Sequence, residues 1–396
     1  MRILFIAPYV PSRIRVRPFQ FIKELAARHE VYVLALGKVG ESDTQGAGEL
    51  TRLVQDFRVI PHSKVLGLAQ ALAALPTAVP SCAAFCWSSA MKKAVGECVR
   101  GARFDVVHIE HLRAAHFASA CGDLPVVFDA VDCLTGLFGQ MSRSKKNPLG
   151  KLVMMEEAWK LRRYEPRALA RFDRVVITSD SEREELTALN PALRIDVLPN
   201  GVDTDYFAPQ GTTRAPHRIV FSGKMGFHPN AQAALWFAES VFGALRAQFA
   251  DAEFVIVGSD PPADVKSLAA RPGVSVTGYV DDIRPYLDSS SVAVVPMQVA
   301  VGVQNKVLEA LAMGLPVVAT PIATRALGRD CPGIVEAADA NRTVNEVSRL
   351  MGDPDLAAKI GRFGREEALR NFSWRSNVDT LEVIYQEAIR DHGRTT

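Results

Sequence analysis

The stretch "GVQNKVLEALAMGLPVVAT", residues 302–320, reads as a short helix that stops at Gly314 and runs into an apolar strand. Just before it stands "VAVVP", residues 292–296. Near-continuous Val runs of this kind suit parallel strands buried on both faces. Strand, helix and strand in so short a span make one unit of a wound α/β sheet. Val307, Leu308, Leu311 and Ala312 form the helix's buried stripe, which leaves Lys306 and Glu309 three residues apart on another face.

The same alternation extends outward. "RIVFSG", a helix from about Asn230, "EFVIVG" and "VSVTGYV" precede it. Residues 197–217, "VLPNGVDTDYFAPQGTTRAPH", crowd Pro, Gly, Asn, Asp and Thr into a turn and a linker. On its far side "RILFIA", "VYVLAL", "FRVI", "FDVVHI", "LPVVFDA" and "FDRVVITS" are strand candidates, with helices in "RPFQFIKELAARH" and over 149–171. The fold class is therefore α/β, with two doubly wound, Rossmann-like domains, as a 396-residue chain of 48% hydrophobic composition accommodates. The charged tail from Asp353 is helical. Val378, Leu381, Ile384, Tyr385 and Ile389 recur there at helical spacing.

Composition removes several classes. Lys and Arg number 46 against 44 Asp and Glu, without the one-sided excess of a nucleic-acid binder. Six cysteines lack CxxC spacing or a histidine cluster, so free thiols in a reducing cytoplasm are expected. "MRILFIAPYV" is too short for a signal core and reads as a first strand. Val65 to Met91 carries no Asp, Glu, Lys or Arg, but Pro76 and Pro80 interrupt it. That favours core or a hydrophobic surface patch over a spanning helix of about 20 apolar residues.

Ligands of open α/β sheets bind beyond the carboxyl ends of the strands. After "VAVVP", the helix expected from Val303 offers unpaired N–H groups and a positive dipole end, and Gly302 lets the backbone approach an anion. Lys306 can support a phosphate, and Glu309 can accept from two sugar hydroxyls. The plain structural alternative is an i,i+3 ion pair worth about 0.2–0.5 kcal/mol. "FSGKMGFHPN" repeats the arrangement with Gly223, Lys224 and Gly226, and a diphosphate is the economical ligand for both junctions. In the first half, His108, Glu110 and His111 end one strand and Asp129 and Asp132 end another. Arg13, Arg15 and Arg17 follow the first strand without the Gly-x-Gly of a dinucleotide loop. "DTD" at 203–205 sits in the linker and Asp281–Asp282 caps a helix, so no obligatory metal is expected.

Taken together, "VLPNGVDTDYF", "VFSGKM", "FVIVG", "VTGYVDDIRPYL", "NKVLEALAMGLPVVAT" and "FSW" resemble the family 4 group of GT-B glycosyltransferases over nearly the whole chain. The resemblance implies two facing domains: 1–198 for the acceptor, 199–372 for the nucleotide-sugar donor, and a helix at 373–396 crossing back. It implies that Lys224 and Lys306 neutralise the donor diphosphate and that Glu309 holds the ribose. Backbone at Gly223 would approach the phosphates, Gly278, Tyr279 and Val280 would face the base, and His111, with His108 as second choice, would sit beside the sugar. The family has two glutamates separated by seven residues, and the first position is Val301 here. Gly302, Val303, Gln304 and Asn305 are the substitutes expected to hold the sugar.

The implied activity is retaining, metal-independent transfer from a UDP- or GDP-sugar to a glycan, lipid-linked or small-molecule hydroxyl, as in polysaccharide biosynthesis. The setting implied is cytoplasmic, with peripheral contact at the inner membrane face if the 65–91 stretch docks there, and no nucleic-acid partner. Two other functions fit the same scaffold. A nucleotide-sugar epimerase would consume donor without acceptor. A non-catalytic nucleotide-sugar or glycan-binding protein would show no turnover for Lys306→Ala to abolish.

Overall fold

Short runs of Val, Ile, Leu and Phe build two parallel sheets, because each is apolar on both faces and must be covered twice. The computed structural model describes residues 1–12, 15–37, 47–144, 147–300, 302–327 and 331–395. Arg13 and Val301 lie outside them. The chain divides into one unit of Met1–Leu198 with Asn377–Thr396 and a second of Pro199–Ser376.

The first unit holds β1 (Arg2–Ala7), β2 (Glu30–Gly37), β3 (Asp56–Pro61), β4 (Val106–Glu110), β5 (Val126–Val131), β6 (Arg174–Ile177) and β7 (Ile195–Val197). Their order is β3-β2-β1-β4-β5-β6-β7, all parallel. The order reverses between β1 and β4, where Phe5 pairs with His108. The helix Trp374–Thr395 ends in this unit, with Val378, Leu381, Ile384 and Tyr385 buried.

The second unit holds β8 (Arg218–Ser222), β9 (Glu253–Val257), β10 (Val274–Val276), β11 (Val292–Val295), β12 (Val317–Ala319) and β13 (Ile334–Glu336). Their order is β10-β9-β8-β11-β12-β13, again parallel. The switch point falls between β8 and β11, so whatever follows those two strands shares one crevice. The helix after β11 is Asn305–Ala312, two residues later than periodicity predicts. Gly314, at φ +64°, ends it: Leu315 N–H donates back to Ala310 O at 2.9 Å.

Candidate active site

In the second unit the chain leaves β8 through Gly223, whose φ of +154° disfavours a side chain. A Cβ there would stand 2.9 Å from Asn230 Nδ2 and 3.2 Å from Lys306 Cε. The bare glycine thus lets two polar side chains from different helices close on one strand end. Gly258, after β9, is more constrained still: a Cβ would fall 1.8 Å from Gly223 O. Gly258 N–H donates to Gly278 O at 3.2 Å, so the exits of β8, β9 and β10 form one backbone-lined shelf.

Lys306 lies in the first turn of the helix Asn305–Ala312. Its Nζ donates to Gln304 Oε1 at 3.2 Å and stands 5.9 Å from the Phe221 ring centroid. Among the described residues it forms no ion pair, so the i,i+3 bridge to Glu309 is not made. Burial lowers the Lys306 ammonium to about 8, against the opposing charge of Glu309. Burial likewise lifts Glu309 to about 7, and Lys306 opposes it. The N-cap residue Gln304 makes no side-chain cap; its carbonyl accepts from Val307 N–H at 2.9 Å, and the N–H groups of Asn305 and Lys306 have no partner inside the helix. A partly dehydrated cation that makes no ion pair among the described residues, beside open N–H groups at a helix start, suits an anion.

Other expected residues are placed less tightly. Lys224 is exposed, with Nζ 3.7 Å from the equally exposed Asp260, a pair worth little in water. Lys224 O accepts from Asn230 Nδ2 at 3.0 Å. Gly302 takes φ +61°, and its carbonyl accepts from Gln304 Nε2 at 3.4 Å. Val303 turns its side chain into the core, and Asn305 Oδ1 accepts from Asn200 Nδ2 at 3.3 Å. Beyond β10, Gly278 adopts φ +70°, Tyr279 is exposed and Val280 is half-buried. Asp203 of the "DTD" run accepts from Tyr206 N–H, three residues on, at 3.0 Å, a local side-chain-to-backbone bond. Asp282 accepts from Arg284 N–H at 2.9 Å at the start of a helix turn.

In the first unit the polar groups at the ends of β4 and β5 separate into structural and available ones. Arg17 grips Asp129 with two bonds, Nε to Oδ2 at 2.7 Å and Nη2 to Oδ1 at 3.2 Å, both residues buried. His108 is enclosed: it stacks on Phe5 at 4.3 Å, and its Nδ1 is 2.8 Å from the Tyr385 hydroxyl. Burial pushes it down to about 4, so it is neutral, and its zero exposure makes it a core histidine. Glu110 accepts from Tyr9 Oη at 2.8 Å, while its other oxygen, Oε2, has no partner among the described residues. Burial, with Asp129 adding to it, raises Glu110 to about 8.

His111 is half-buried at φ +66°, an uncommon conformation for a residue with a Cβ. Its Nδ1 accepts from Arg113 N–H at 3.2 Å. Burial lowers it to about 3, so the ring is neutral and the accepting Nδ1 leaves the proton on Nε2. His111 therefore presents a hydrogen-bond donor rather than a base.

Reading the residues alone overlooked Asn230, Gly258, Tyr9 and Tyr385. Asn230, whose Oδ1 is buried without a partner among the described residues, could have been found as an amide in the first turn of the helix after a glycine-rich turn. Tyr385 carried no local signal of its partner 277 residues away.

Two family models match the chain. "Glycosyl transferases group 1" covers residues 216–353 and "Glycosyl transferase 4-like domain" covers 14–201. An MMP α-(1→4)-mannosyltransferase of Mycolicibacterium hassiacum is 28% identical over 228 residues, 54% of this chain and 54% of that one. The chain thus spans about half the length of the relatives it matches. Sucrose-phosphate synthase of Thermosynechococcus elongatus superposes with a TM-score of 0.67 at 19% identity, covering 98% of each chain. HepE of Anabaena, solved in complex with UDP, gives 0.68 at 13% identity, covering 98% of this chain and 100% of that one.

Proposed function

The chain belongs to the family 4 group of GT-B glycosyltransferases, and from that premise we propose that it transfers a sugar, with retention and without an obligatory metal, from a nucleotide-diphosphate sugar to an acceptor hydroxyl. The observation that carries this reading is Lys306: a partly dehydrated ammonium that makes no ion pair among the described residues, beside open N–H groups at a helix start at the switch point of the second unit. Breaking the anomeric C–O bond gathers negative charge on the departing diphosphate. Preorganised positive groups stabilise that charge more in the transition state than in the bound donor.

In this reading Lys306 and the first N–H groups of its helix hold the diphosphate, and Lys224 adds a mobile second cation. Glu309 holds the ribose hydroxyls, and the shelf at Gly278, Tyr279 and Val280 receives the base. Gly302, Gln304 and Asn305 take the sugar where the family's first glutamate position is Val301. His111 Nε2–H donates to a sugar hydroxyl. No carboxylate stands out as a nucleophile, so displacement proceeds on the same face, assisted by the leaving phosphate. A covalent sugar–enzyme adduct in intact mass spectra would refute that step.

The donor class, a UDP- or GDP-sugar, is tested by thermal shift with UDP, GDP, ADP, TDP and their common sugars. A ligand at 100 times its dissociation constant adds about 2.7 kcal/mol of stability. The expected outcome is a shift with one base, abolished by Lys306→Ala. No shift with any nucleotide at saturating concentration would sink the diphosphate reading.

A further inference from the structure

In the first unit the helix Leu134–Ser144, "LTGLFGQMSRS", carries Gly136 and Gly139 three residues apart on one face. Gly136 has a packing reason, because a Cβ there would run into the Glu185 carboxylate. Gly139 has none: nothing stands within 4 Å of where its Cβ would be. A glycine in mid-helix weakens the helix relative to alanine, so one with no neighbour to make room for points to a use for the space itself. That space is a cavity of about 310 Å³ between this helix and Pro148–Leu169, with Glu185 of the helix Asp180–Leu189 in its wall.

The lining selects the occupant. Gln140 and Arg143 come from the first helix and Arg162 from the second, against one carboxylate, Glu185. Among the described residues neither guanidinium makes a hydrogen bond or an ion pair. Trp159, one turn before Arg162, lines the same cavity, and Arg163 stacks on its ring at 3.9 Å. The helix start is not what would draw an anion here. Glu165 already accepts from Leu134 and Thr135 N–H at 3.0 and 2.8 Å, and Glu182 accepts from Cys133 N–H at 3.0 Å. The attraction rests on the two arginines, whose planar forks suit a carboxylate or a phosphate. The indole offers an apolar surface, and the Gln140 amide and Glu185 carboxylate offer partners for hydroxyls. Those three features in one cavity describe a sugar that carries an oxyanion.

Position adds to chemistry. The helix begins just beyond β5, so its first turn stands at the carboxyl edge of the sheet, where open α/β sheets take ligands. Gly139 lies five residues further on, about 7.5 Å at the helical rise. That offset suits a neighbouring residue of a saccharide chain better than the reacting hydroxyl. We propose that this cavity binds an acidic sugar residue, a uronate or a phosphosugar, next to the residue that receives the transferred sugar. Resting on the transferase reading, the consequence is that the acceptor is an acidic glycan.

The test is ligand-observed NMR of the full-length chain with a glucuronate trisaccharide, its neutral glucose counterpart, glucose 6-phosphate and inorganic phosphate. At least one acidic sugar is expected to bind, and which one does separates carboxylate from phosphate. The neutral trisaccharide and inorganic phosphate should bind at least about tenfold more weakly. Arg162→Gln should weaken the acidic sugar by at least about tenfold, and added salt should weaken it too. Gly139→Leu fills the cavity where no atom stands in the way. It should raise the melting temperature of the first unit, as a better helix former, and abolish saccharide binding. Three results would overturn the proposal: no binding of either acidic sugar, equal binding of the neutral trisaccharide or of inorganic phosphate, or binding unchanged in either variant. The nucleotide thermal shift reads the second unit, where neither substitution lies. Its survival beside any of these results would leave the transferase reading standing.

Discussion

Gly258 and Gly223 sit at neighbouring strand exits and face different neighbours. The Cβ of Gly258→Ala would meet backbone, Gly223 O at 1.8 Å, which cannot give way without parting β8 from β9. That substitution should destabilise the second unit by about 1–3 kcal/mol or more. The Cβ of Gly223→Ala would meet mainly the ends of side chains, Asn230 and Lys306. It should cost less stability and more nucleotide affinity, because it displaces the cation. Melting curves with and without nucleotide separate the two, and equal losses of stability would contradict the argument. Lys306 and Glu309 also set a pH window for donor binding. A bound diphosphate favours protonated Lys306, which starts near 8 in the free protein, and the ribose favours ionised Glu309, which starts near 7. Affinity for a nucleotide sugar should therefore peak between about 7 and 8 and fall on both sides. Calorimetric titrations across that range check it; a nucleotide sugar serves because its diphosphate has no proton to lose there. Affinity still rising above pH 8 would remove Lys306 from the phosphate.

At the scale of elements, the helix Trp374–Thr395 is anchored in the first unit by a buried polar contact of Tyr385 and by ion pairs nearer the surface. Tyr385 and His108 share a hydrogen bond of 2.8 Å in the core, whereas Arg174–Asp391 and His29–Glu382, at 3.2 and 3.0 Å, remain partly solvated. Tyr385→Phe strands His108 Nδ1 in the interior, so a loss of about 1–3 kcal/mol from the first unit is expected. The Glu387 carboxylate lies 2.9 Å from Arg174 in the same partly solvated group, and Glu387→Gln should cost well under 1 kcal/mol. Chemical denaturation of the two variants decides this, and equal losses would count against it. The same helix shows what a sequence exposes. Its apolar spacing was legible, as were the long central strands, because burial on both faces writes uninterrupted Val and Ile runs. β7 and β13 were not: three residues each at the sheet edges, Ile195–Val197 and Ile334–Glu336, are too short for a period. The glycine, lysine and amide residues at the strand exits were visible as types. Their convergence was not, since Gly223, Asn230 and Lys306 meet only once β8 lies beside β11. The surroundings of His108 and His111 were likewise a matter of packing, with Phe5 and Tyr385 enclosing one ring and the other left half-buried.

On the scale of the whole molecule, two separate cores permit two unfolding transitions, and their pH dependences should differ. In the first unit burial raises Glu110 to about 8 and Asp132 and Glu165 to about 7, above ordinary values near 4. The native state then holds protons that the unfolded chain has lost. Their contribution is full below the unfolded pKa and disappears as pH rises toward 7–8. Burial also lowers His108 and His116 to about 4 and His111 to about 3, from 6.5. There the unfolded chain binds the extra protons, so stability present above 6.5 is lost as pH falls. The two sets oppose each other, and the first unit should be most stable between about pH 4.5 and 6.5. Among its described residues the second unit has one such carboxyl, Glu309, and Lys306, whose lowered value matters only above about 8. Its transition should move less between pH 5.5 and 8. Scanning calorimetry of the full chain over that interval should show the more pH-sensitive transition falling as pH rises, and Glu110→Gln should flatten it by removing its largest carboxyl contribution. A transition that instead rises toward pH 8, or one unchanged in slope by Glu110→Gln, would mean that these carboxyls are ionised in the native state. The unpartnered oxygen of Glu110 would then be a buried charge that the fold must neutralise by means other than a proton.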